Sequence, residues 1–307
     1  MTTTSRKRVV FATRRSQLAL AQSRAFAADL QRVHPQLDIQ ELHVVTTGDR
    51  IQDRPLTDIG GKGLFVKEIE QALLDGEADF AVHSIKDVPG ELAPGLRIAC
   101  VPVREDPRDA FVSRSGQSLQ DVPAGTRVGT SSLRRKTMML RARPDLAFVP
   151  LRGNVDTRLR KVREGVVDAT LLACAGLSRL GLIDQATQVL EPHVSLPAVG
   201  QGALGIECRA DDVQVALLLA AVHDAPTARA VAAERGVMIA AQGSCSVPIA
   251  AFATRDGDCL RLHAMLATPS GDRAELIEEL TAWPEDDASA EQFGRSIGAR
   301  LRKAIHG

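Results

Sequence analysis

The chain has 307 residues, 44% hydrophobic and 25% charged, with 38 Lys+Arg against 38 Asp+Glu. This length predicts two or three domains, and the neutral balance gives no global attraction to nucleic acid or membrane. Aromatic residues make up only 3% and tyrosine is missing, which argues against stacking platforms for single-stranded nucleic acid.

In chain order, the first hundred residues predict alternating strands and helices. The strand RVVFAT precedes a helix, SQLALAQSRAFAADLQRV, with Ser16 as its N-cap. A second strand, DIQELHVV, is followed by GGKGLFVKEIEQALLDG, a Gly-rich turn that opens a helix ending at Gly76. ADFAVHS is a third, buried strand. This rhythm predicts an α/β domain with a largely parallel sheet.

The same rhythm repeats in the middle of the chain, between two predicted crossovers, PVREDP and SLPAVGQGALGIEC. The second crossover carries a strand that can pair back into the first domain. Beyond Asp224, a candidate N-cap, we expect one helix, three antiparallel strands and a closing amphipathic helix. The predicted domains are residues 1–103 with 200–220, residues 104–199, and residues 221–307. The expected fold is thus two α/β domains and a small α+β domain.

The cysteines and the N-terminus predict the compartment. The five cysteines are widely spaced, and no CxxC pair occurs: Cys100, Cys174, Cys208, Cys245 and Cys259. Neither a zinc site nor a disulfide framework is indicated, and the seven histidines form no HExxH motif. Without an apolar signal segment or a run of transmembrane length, we expect a soluble, cytoplasmic protein that binds no metal.

Basic residues recur after the ends of predicted strands: Arg14, Lys62, Lys86, Arg134, Arg135, Arg152, Arg158 and Arg179. Arg134 and Arg135 stand in the first turn of a helix, where acidic residues are favoured. An anionic ligand explains them, and so does a solvated basic face. The full series indicates a cation-lined cleft for a ligand with several carboxylates or phosphates. Phosphate-loop, dinucleotide and GxSxG motifs do not occur in the sequence.

Two further stretches have a functional and a plain interpretation. Asp87, in HSIKDVP, follows a buried strand, where open α/β sheets bind ligands, but an aspartate in a solvated turn is common. Cys245 lies in the small-residue turn AAQGSCSVPIA, and the pattern alone favours a buried, inert thiol.

Seven blocks of the sequence occur in a specific order: GGKGLFVKEIE, AVHSIKDVP, REDPRDAFVS, VGTSSLRR, LRGNVDTRL, LPAVGQGALGIECR and GSCSVP. With them the chain resembles, essentially end to end, the porphobilinogen deaminase (hydroxymethylbilane synthase) family. The resemblance implies two domains similar to type II periplasmic binding proteins with a central cleft, and a third domain with a three-stranded antiparallel sheet. It implies a transferase of porphyrin (haem) biosynthesis. Such an enzyme joins four porphobilinogen molecules head to tail, releases ammonia and forms the linear tetrapyrrole hydroxymethylbilane on a covalent dipyrromethane cofactor.

The resemblance also implies roles for individual residues. Cys245 matches the cysteine that carries dipyrromethane through a thioether, and Asp87 matches the catalytic carboxylate, which also contacts the cofactor. Other cofactor-binding residues implied by the resemblance are Lys86, Ser132, Arg134 and Arg135. The implied contacts to substrate and growing chain are Arg14, Ser16, Lys62, Phe65, Arg152, Arg158 and Arg179.

The resemblance further implies a monomer whose product passes to the next tetrapyrrole enzyme. Two departures from the family pattern are Ser244, where a glycine is common, and Asp58, where some members have a lysine. The rival interpretation is an anion-binding receptor or effector domain, which would fit two arginine-rich α/β lobes but leaves Cys245 unexplained.

Overall fold

The computed structural model describes residues 6–47, 66–242 and 247–306. It divides into two compact units, the first formed by Met1–Arg104 with Ala203–Ala228 and the second by Glu105–Gly202 with Arg229–Gly307. The division into three domains predicted above is finer than this and stays a prediction.

The described strands are β1 (Arg8–Arg14), β2 (Asp38–Val44), β3 (Phe80–Ser84), β4 (Leu96–Cys100), β5 (Asp109–Ser113), β6 (Arg127–Gly129), β7 (Ala147–Val149), β8 (Ala169–Ala173), β9 (Gln188–Leu190), β10 (Leu204–Arg209), β11 (Ile249–Asp256), β12 (Cys259–Ala267) and β13 (Ala274–Ala282). The described α-helices are α1 (Gln17–Val33), α2 (Lys67–Leu74), α3 (Leu133–Ala142), α4 (Val155–Arg163), α5 (Cys174–Arg179), α6 (Val213–Ala220), α7 (Ala225–Ala240) and α8 (Asp287–His306).

Each unit contains a five-stranded sheet, and the two sheets have the same plan. The strand orders are β2-β1-β3-β10-β4 in the first unit and β7-β6-β8-β5-β9 in the second. The first three strands of each sheet are parallel, and the fourth, β10 or β5, runs antiparallel to both of its neighbours. Each antiparallel strand directly follows a crossover in the chain. The predicted fold class and the return of β10 into the first sheet are therefore confirmed.

Short-range predictions about helix ends also hold. The Ser16 hydroxyl caps α1 by accepting a hydrogen bond from the Ala19 amide at 3.3 Å. The Asp224 carboxylate accepts the Thr227 amide at 2.9 Å at the start of α7. Gly76 has a φ of +74° just beyond α2, the left-handed conformation in which glycine terminates a helix.

The C-terminal part of the second unit is an antiparallel sheet, β11-β12-β13, as predicted. Helices α7 and α8 cover one face of it and enclose an aliphatic core that includes Val237, Leu262 and Leu301. On β11 and β12, Ala250 and Met265 instead join the core of the five-stranded sheet of the same unit. Most of α7 therefore packs within the second unit, and the chain that follows it toward Cys245 lies outside the described residues.

Candidate active site

The candidate catalytic residue Asp87 lies in a single 3₁₀ turn that directly follows β3. The turn is anchored on both sides, because Ile85 is 2% and Val88 3% exposed. Between these apolar anchors, Lys86 and Asp87 are exposed. The turn therefore presents an adjacent cation and anion at the carboxyl end of a buried strand, the place where open α/β sheets bind ligands.

Arg14 and Ser16 follow the neighbouring strand of the same sheet. Strands β1 and β3 are parallel, with Phe11 opposite Phe80, so Arg14 at the end of β1 belongs to the sheet edge from which the Asp87 turn begins. The Ser16 hydroxyl oxygen caps α1, which leaves its hydrogen able to donate to a ligand. The first unit thus brings a set of sequence-predicted residues to one edge of its sheet: Arg14, Ser16, Lys86 and Asp87.

In the second unit, Ser132 is the N-cap of α3 and organises the turn that carries two arginines. Its hydroxyl accepts the Arg135 amide at 3.3 Å, while its own amide donates to the Thr130 hydroxyl at 3.1 Å. The helix N-terminus beside Ser132 follows β6, which places it at the carboxyl edge of the second sheet. Amide groups at such an end are suited to bind anions.

Arg134 and Arg135 are buried, each 6% exposed, so the alternative of a solvated basic face is wrong. Both guanidinium groups pair with Asp109 on β5, at 2.9 Å and 2.7 Å. The Ser195 hydroxyl and the Gln201 amide donate to the same carboxylate at 2.8 Å and 3.0 Å. Burial opposes ionisation of Asp109, but the two arginines outweigh it and hold its pKa well below the usual range.

Further guanidinium groups lie close to the two that share Asp109. Burial, and then the nearby charges of Arg135 and Arg152, lower the pKa of Arg158 to about 10. Arg158 also donates from Nε to the Gly153 carbonyl at 2.8 Å, which fixes its side chain in this position. Repulsion among guanidinium groups costs free energy unless anions approach them. The region is therefore suited to a ligand with several carboxylates.

Arg179, at the end of α5, is half-buried and donates from Nη2 to the Gly202 carbonyl at 2.7 Å. Burial lowers its pKa, and the nearby Glu105 carboxylate opposes that effect. The second unit thus brings five further predicted residues to the helices and loops that follow its parallel strands: Ser132, Arg134, Arg135, Arg152 and Arg158. Arg179 follows β8 in the same way.

The predicted attachment residue Cys245 lies outside the described residues, as do Lys62, Phe65, Asp58 and Ser244. The other four cysteines are described, and Cys100, Cys174 and Cys208 are buried. Burial raises the pKa of Cys100 and of Cys174 to about 12, so these thiols stay protonated and unreactive at neutral pH. Cys259 is half-buried at the start of β12.

Family models match most of the chain. The model described as porphobilinogen deaminase, dipyrromethane cofactor binding domain, matches residues 9–217, and the porphobilinogen deaminase C-terminal domain matches residues 228–303. The chain belongs to the porphobilinogen deaminase family. Family members are transferases that polymerise porphobilinogen into hydroxymethylbilane on a dipyrromethane cofactor, and the predicted enzyme activity and cofactor are confirmed.

Curated relatives agree over nearly the full length. The porphobilinogen deaminase of Sorangium cellulosum is 60% identical over 295 residues, which cover 96% of this chain and 98% of that protein. The porphobilinogen deaminase of Ralstonia nicotianae is 50% identical and is covered to 88%, and that of Syntrophotalea carbinolica is 50% identical and covered to 90%. The matches to these two relatives span 96% and 95% of this chain.

The sequence did not predict the side chains that bind Arg134 and Arg135. Asp109 lies in the block REDPRDAFVS, yet its ion pairs with α3 were not expected. The available signal was an aspartate at the head of an otherwise apolar, buried strand, DAFVS, because a buried carboxylate requires a partner. Ser195 and Gln201 gave no such signal, since their contacts depend on the path of the return crossover.

In the ranges 6–47, 66–242 and 247–306, no group of three or more His, Cys, Asp or Glu side chains is placed to hold a metal ion. Across the same ranges no single helix passes the length and hydropathy requirements for a membrane span. Helices α6 and α7 pass only when taken together, with a bend of 112° between them.

Proposed function

We propose that this member of the porphobilinogen deaminase family carries dipyrromethane on Cys245 through a thioether and uses Asp87 as its catalytic carboxylate. The cofactor carboxylates bind Lys86, Ser132, Arg134 and Arg135, with Asp87 beside the pyrroles. The substrate and the growing chain contact the remaining residues: Arg14, Ser16, Lys62, Phe65, Arg152, Arg158 and Arg179.

The observation that carries this proposal is the surplus of positive charge in the second unit. Arg134 and Arg135 share the single carboxylate of Asp109, and Arg158 has positive neighbours of its own. Each pyrrole ring of the cofactor and the chain carries an acetate and a propionate, which guanidinium groups bind through paired hydrogen bonds. The donor set present therefore fits a polycarboxylate of this kind, and Ser132 adds a helix N-terminus.

When bound, the cofactor supplies the pyrrole carbon to which the first substrate is joined. The part of Asp87 is electrostatic. Positive charge develops on the substrate pyrrole as ammonia departs from its aminomethyl arm, and a carboxylate within hydrogen-bond reach of the pyrrole N–H stabilises that charge. The same carboxylate can hold a proton on its way to the departing amine. Lys86, its neighbour in the exposed turn, binds a carboxylate and so orients the ring.

The cysteine assignment rests on exclusion as well as resemblance. Cys100, Cys174 and Cys208 are buried, and a thiol without access to solvent cannot carry a large adduct. Cys259 is half-buried and is the matched control. We further propose a monomeric, cytoplasmic enzyme with the three-domain division predicted above, which binds neither nucleic acid nor membrane and passes its product to the next tetrapyrrole enzyme.

Intact-mass measurement of the purified protein tests the attachment site. We expect wild type and Cys259→Ser to carry an added mass of two pyrrole units, and Cys245→Ser to carry none and to convert no porphobilinogen. An adduct that persists in Cys245→Ser, or that disappears in Cys259→Ser, contradicts the assignment.

Asp87→Asn tests the catalytic role, because an amide can accept the pyrrole hydrogen bond but cannot offset a positive charge. We expect kcat to fall by at least ~10²-fold, the scale of losing a preorganised electrostatic partner. Turnover is measured per chain that carries the adduct. Near-normal kcat in loaded Asp87→Asn would remove Asp87 from its role.

A further inference from the structure

A buried histidine–glutamate pair joins β3 to β10 directly behind the Asp87 turn. Nε2 of His83 lies 2.9 Å from Oε2 of Glu207, and the two side chains are 5% and 1% exposed. His83 lies two residues before the turn, and Glu207 lies on the antiparallel neighbouring strand. The mechanism proposed above gives neither residue a task, yet a buried carboxylate needs a reason to be there.

Ala203, Gly205 and Glu207, every second residue along the β10 segment, each contact the start of the turn or the end of β3 before it. The Ala203 carbonyl accepts the Ile85 amide at 3.1 Å. Gly205, opposite His83 in the ladder, leaves space for the Ile85 side chain, because a Cβ on Gly205 would overlap the Ile85 Cδ1 atom. Glu207 then contacts His83 itself. Backbone, side-chain packing and a polar contact thus fasten the same short segment to one strand.

The pair lies on the face of the sheet that α2 covers. Ala81, on the same face as His83, packs with Ile69 and Leu73 of α2. Glu70 of that helix approaches the pair, and its pKa is raised chiefly by burial, with a smaller increase from Glu207 that His83 opposes. Oε1 of Glu207 has no hydrogen-bond partner within the described residues. His83 is therefore the hydrogen-bonding side chain that orients this carboxylate.

We propose that Glu207, acting through His83, is a positioning residue for Asp87. The pair fixes the end of β3 against β10, so that the turn delivers the Asp87 carboxylate to the reacting pyrrole. This inference rests on the catalytic role proposed for Asp87. A displacement of a catalytic group by about 1 Å can cost up to ~10²-fold in rate, so a partial loosening should cost about 10-fold.

The test compares variants that keep or break the contact. The double variant His83→Leu with Glu207→Leu removes both polar partners together, which is close to neutral for stability when volume is preserved. We expect its kcat per loaded chain to fall about 10-fold with KM unchanged. Val82→Ala, on the opposite face of β3, is the control for a loosened core and should lower stability but leave kcat within about twofold.

Rescue by the conservative variant separates positioning from packing. In His83→Gln the amide nitrogen can take the place of Nε2 and bind Glu207, whereas the shorter amide of His83→Asn cannot reach it. We expect His83→Gln to keep kcat within about twofold of wild type and His83→Asn to lose about 10-fold. This comparison decides the matter if the double variant does not fold.

A loaded double variant with wild-type kcat, or equal kcat in His83→Gln and His83→Asn, would overturn the proposal. Asp87→Asn is measured in parallel to separate the two inferences. If Asp87→Asn retains turnover, the catalytic role fails and the positioning role fails with it. If Asp87→Asn loses turnover while the His83 and Glu207 variants do not, the positioning role alone is refuted.

Discussion

Replacing Asp109 with asparagine is the sharpest perturbation of the second unit. The carboxylate is fully buried and accepts hydrogen bonds from four side chains: Arg134, Arg135, Ser195 and Gln201. Asparagine preserves the volume but removes the charge, and its NH₂ group would face donors rather than acceptors. Two buried guanidinium groups would then have lost the carboxylate they share.

The expected loss of folding stability follows from what happens when only one partner of a buried ion pair is removed. Breaking such a pair from one side costs ~3–5 kcal/mol, because the remaining charge stays buried without compensation. Folded domains are stable by only ~5–15 kcal/mol, so Asp109→Asn should remove a large part of the stability of this unit. Glu191→Gln is the control, since its pair with Arg108 at 2.7 Å is more than half exposed on the glutamate side and should be worth ~0–1 kcal/mol.

Urea unfolding monitored by fluorescence measures the difference, because the single tryptophan, Trp283, belongs to the same unit as Asp109. The sign of the pH dependence is fixed as well. Because the folded state holds the pKa of Asp109 below its ordinary value near 4, the stabilisation is complete above about pH 4 and is lost as the pH falls further. A loss below ~1 kcal/mol at pH 7, or a gap between wild type and Asp109→Asn that widens in acid, would refute the reasoning.

Two further predictions concern α7 and α8, the helices that pack on the C-terminal antiparallel sheet. Gly294→Ala should destabilise the second unit by ~1–3 kcal/mol in the same urea assay, because the new Cβ would lie 2.8 Å from the Ala233 carbonyl carbon. Helix propensity alone predicts the opposite, a gain in stability of up to ~1 kcal/mol, so a more stable Gly294→Ala variant would contradict the close contact. Gln242, just after α7, has a φ of +53°, and Gln242→Gly should raise stability by ~0.5–1 kcal/mol by relieving this left-handed conformation. A decrease in Gln242→Gly would show that the side chain contributes more than the strain costs.

The fold was predictable where the signal was local. Alternating apolar runs, caps such as Ser16 and Asp224, and short turns gave the α/β rhythm and the antiparallel C-terminal sheet. The full strand order of each sheet was not predictable, because the neighbours of a strand such as β5 are set by long-range pairing. Short elements such as β9, three residues long, carry too little pattern to be found without those neighbours.

The candidate site was predictable in outline for a similar reason. Position after a parallel strand is a property of the sequence, and it correctly brought Arg14 and Asp87 to the edge of one sheet and Arg158 to that of the other. Contacts between buried charged groups could not be predicted, because they depend on which distant residue faces each group. Asp109 and Glu207 lie in apolar strands, and only the fold reveals that each meets a partner there.

A neutral composition conceals how unevenly the charges are paired. Away from the candidate site, some guanidinium groups of the second unit have a carboxylate each, as Arg127 does with Asp168 and Arg143 with Asp145. At the start of α3 there are two guanidinium groups for one carboxylate, because Arg134 and Arg135 both pair with Asp109. Folding alone would favour a second acid there, because uncompensated buried charge is costly. A ligand that brings its own carboxylates would remove that cost, which supports the proposal that this helix N-terminus binds the cofactor.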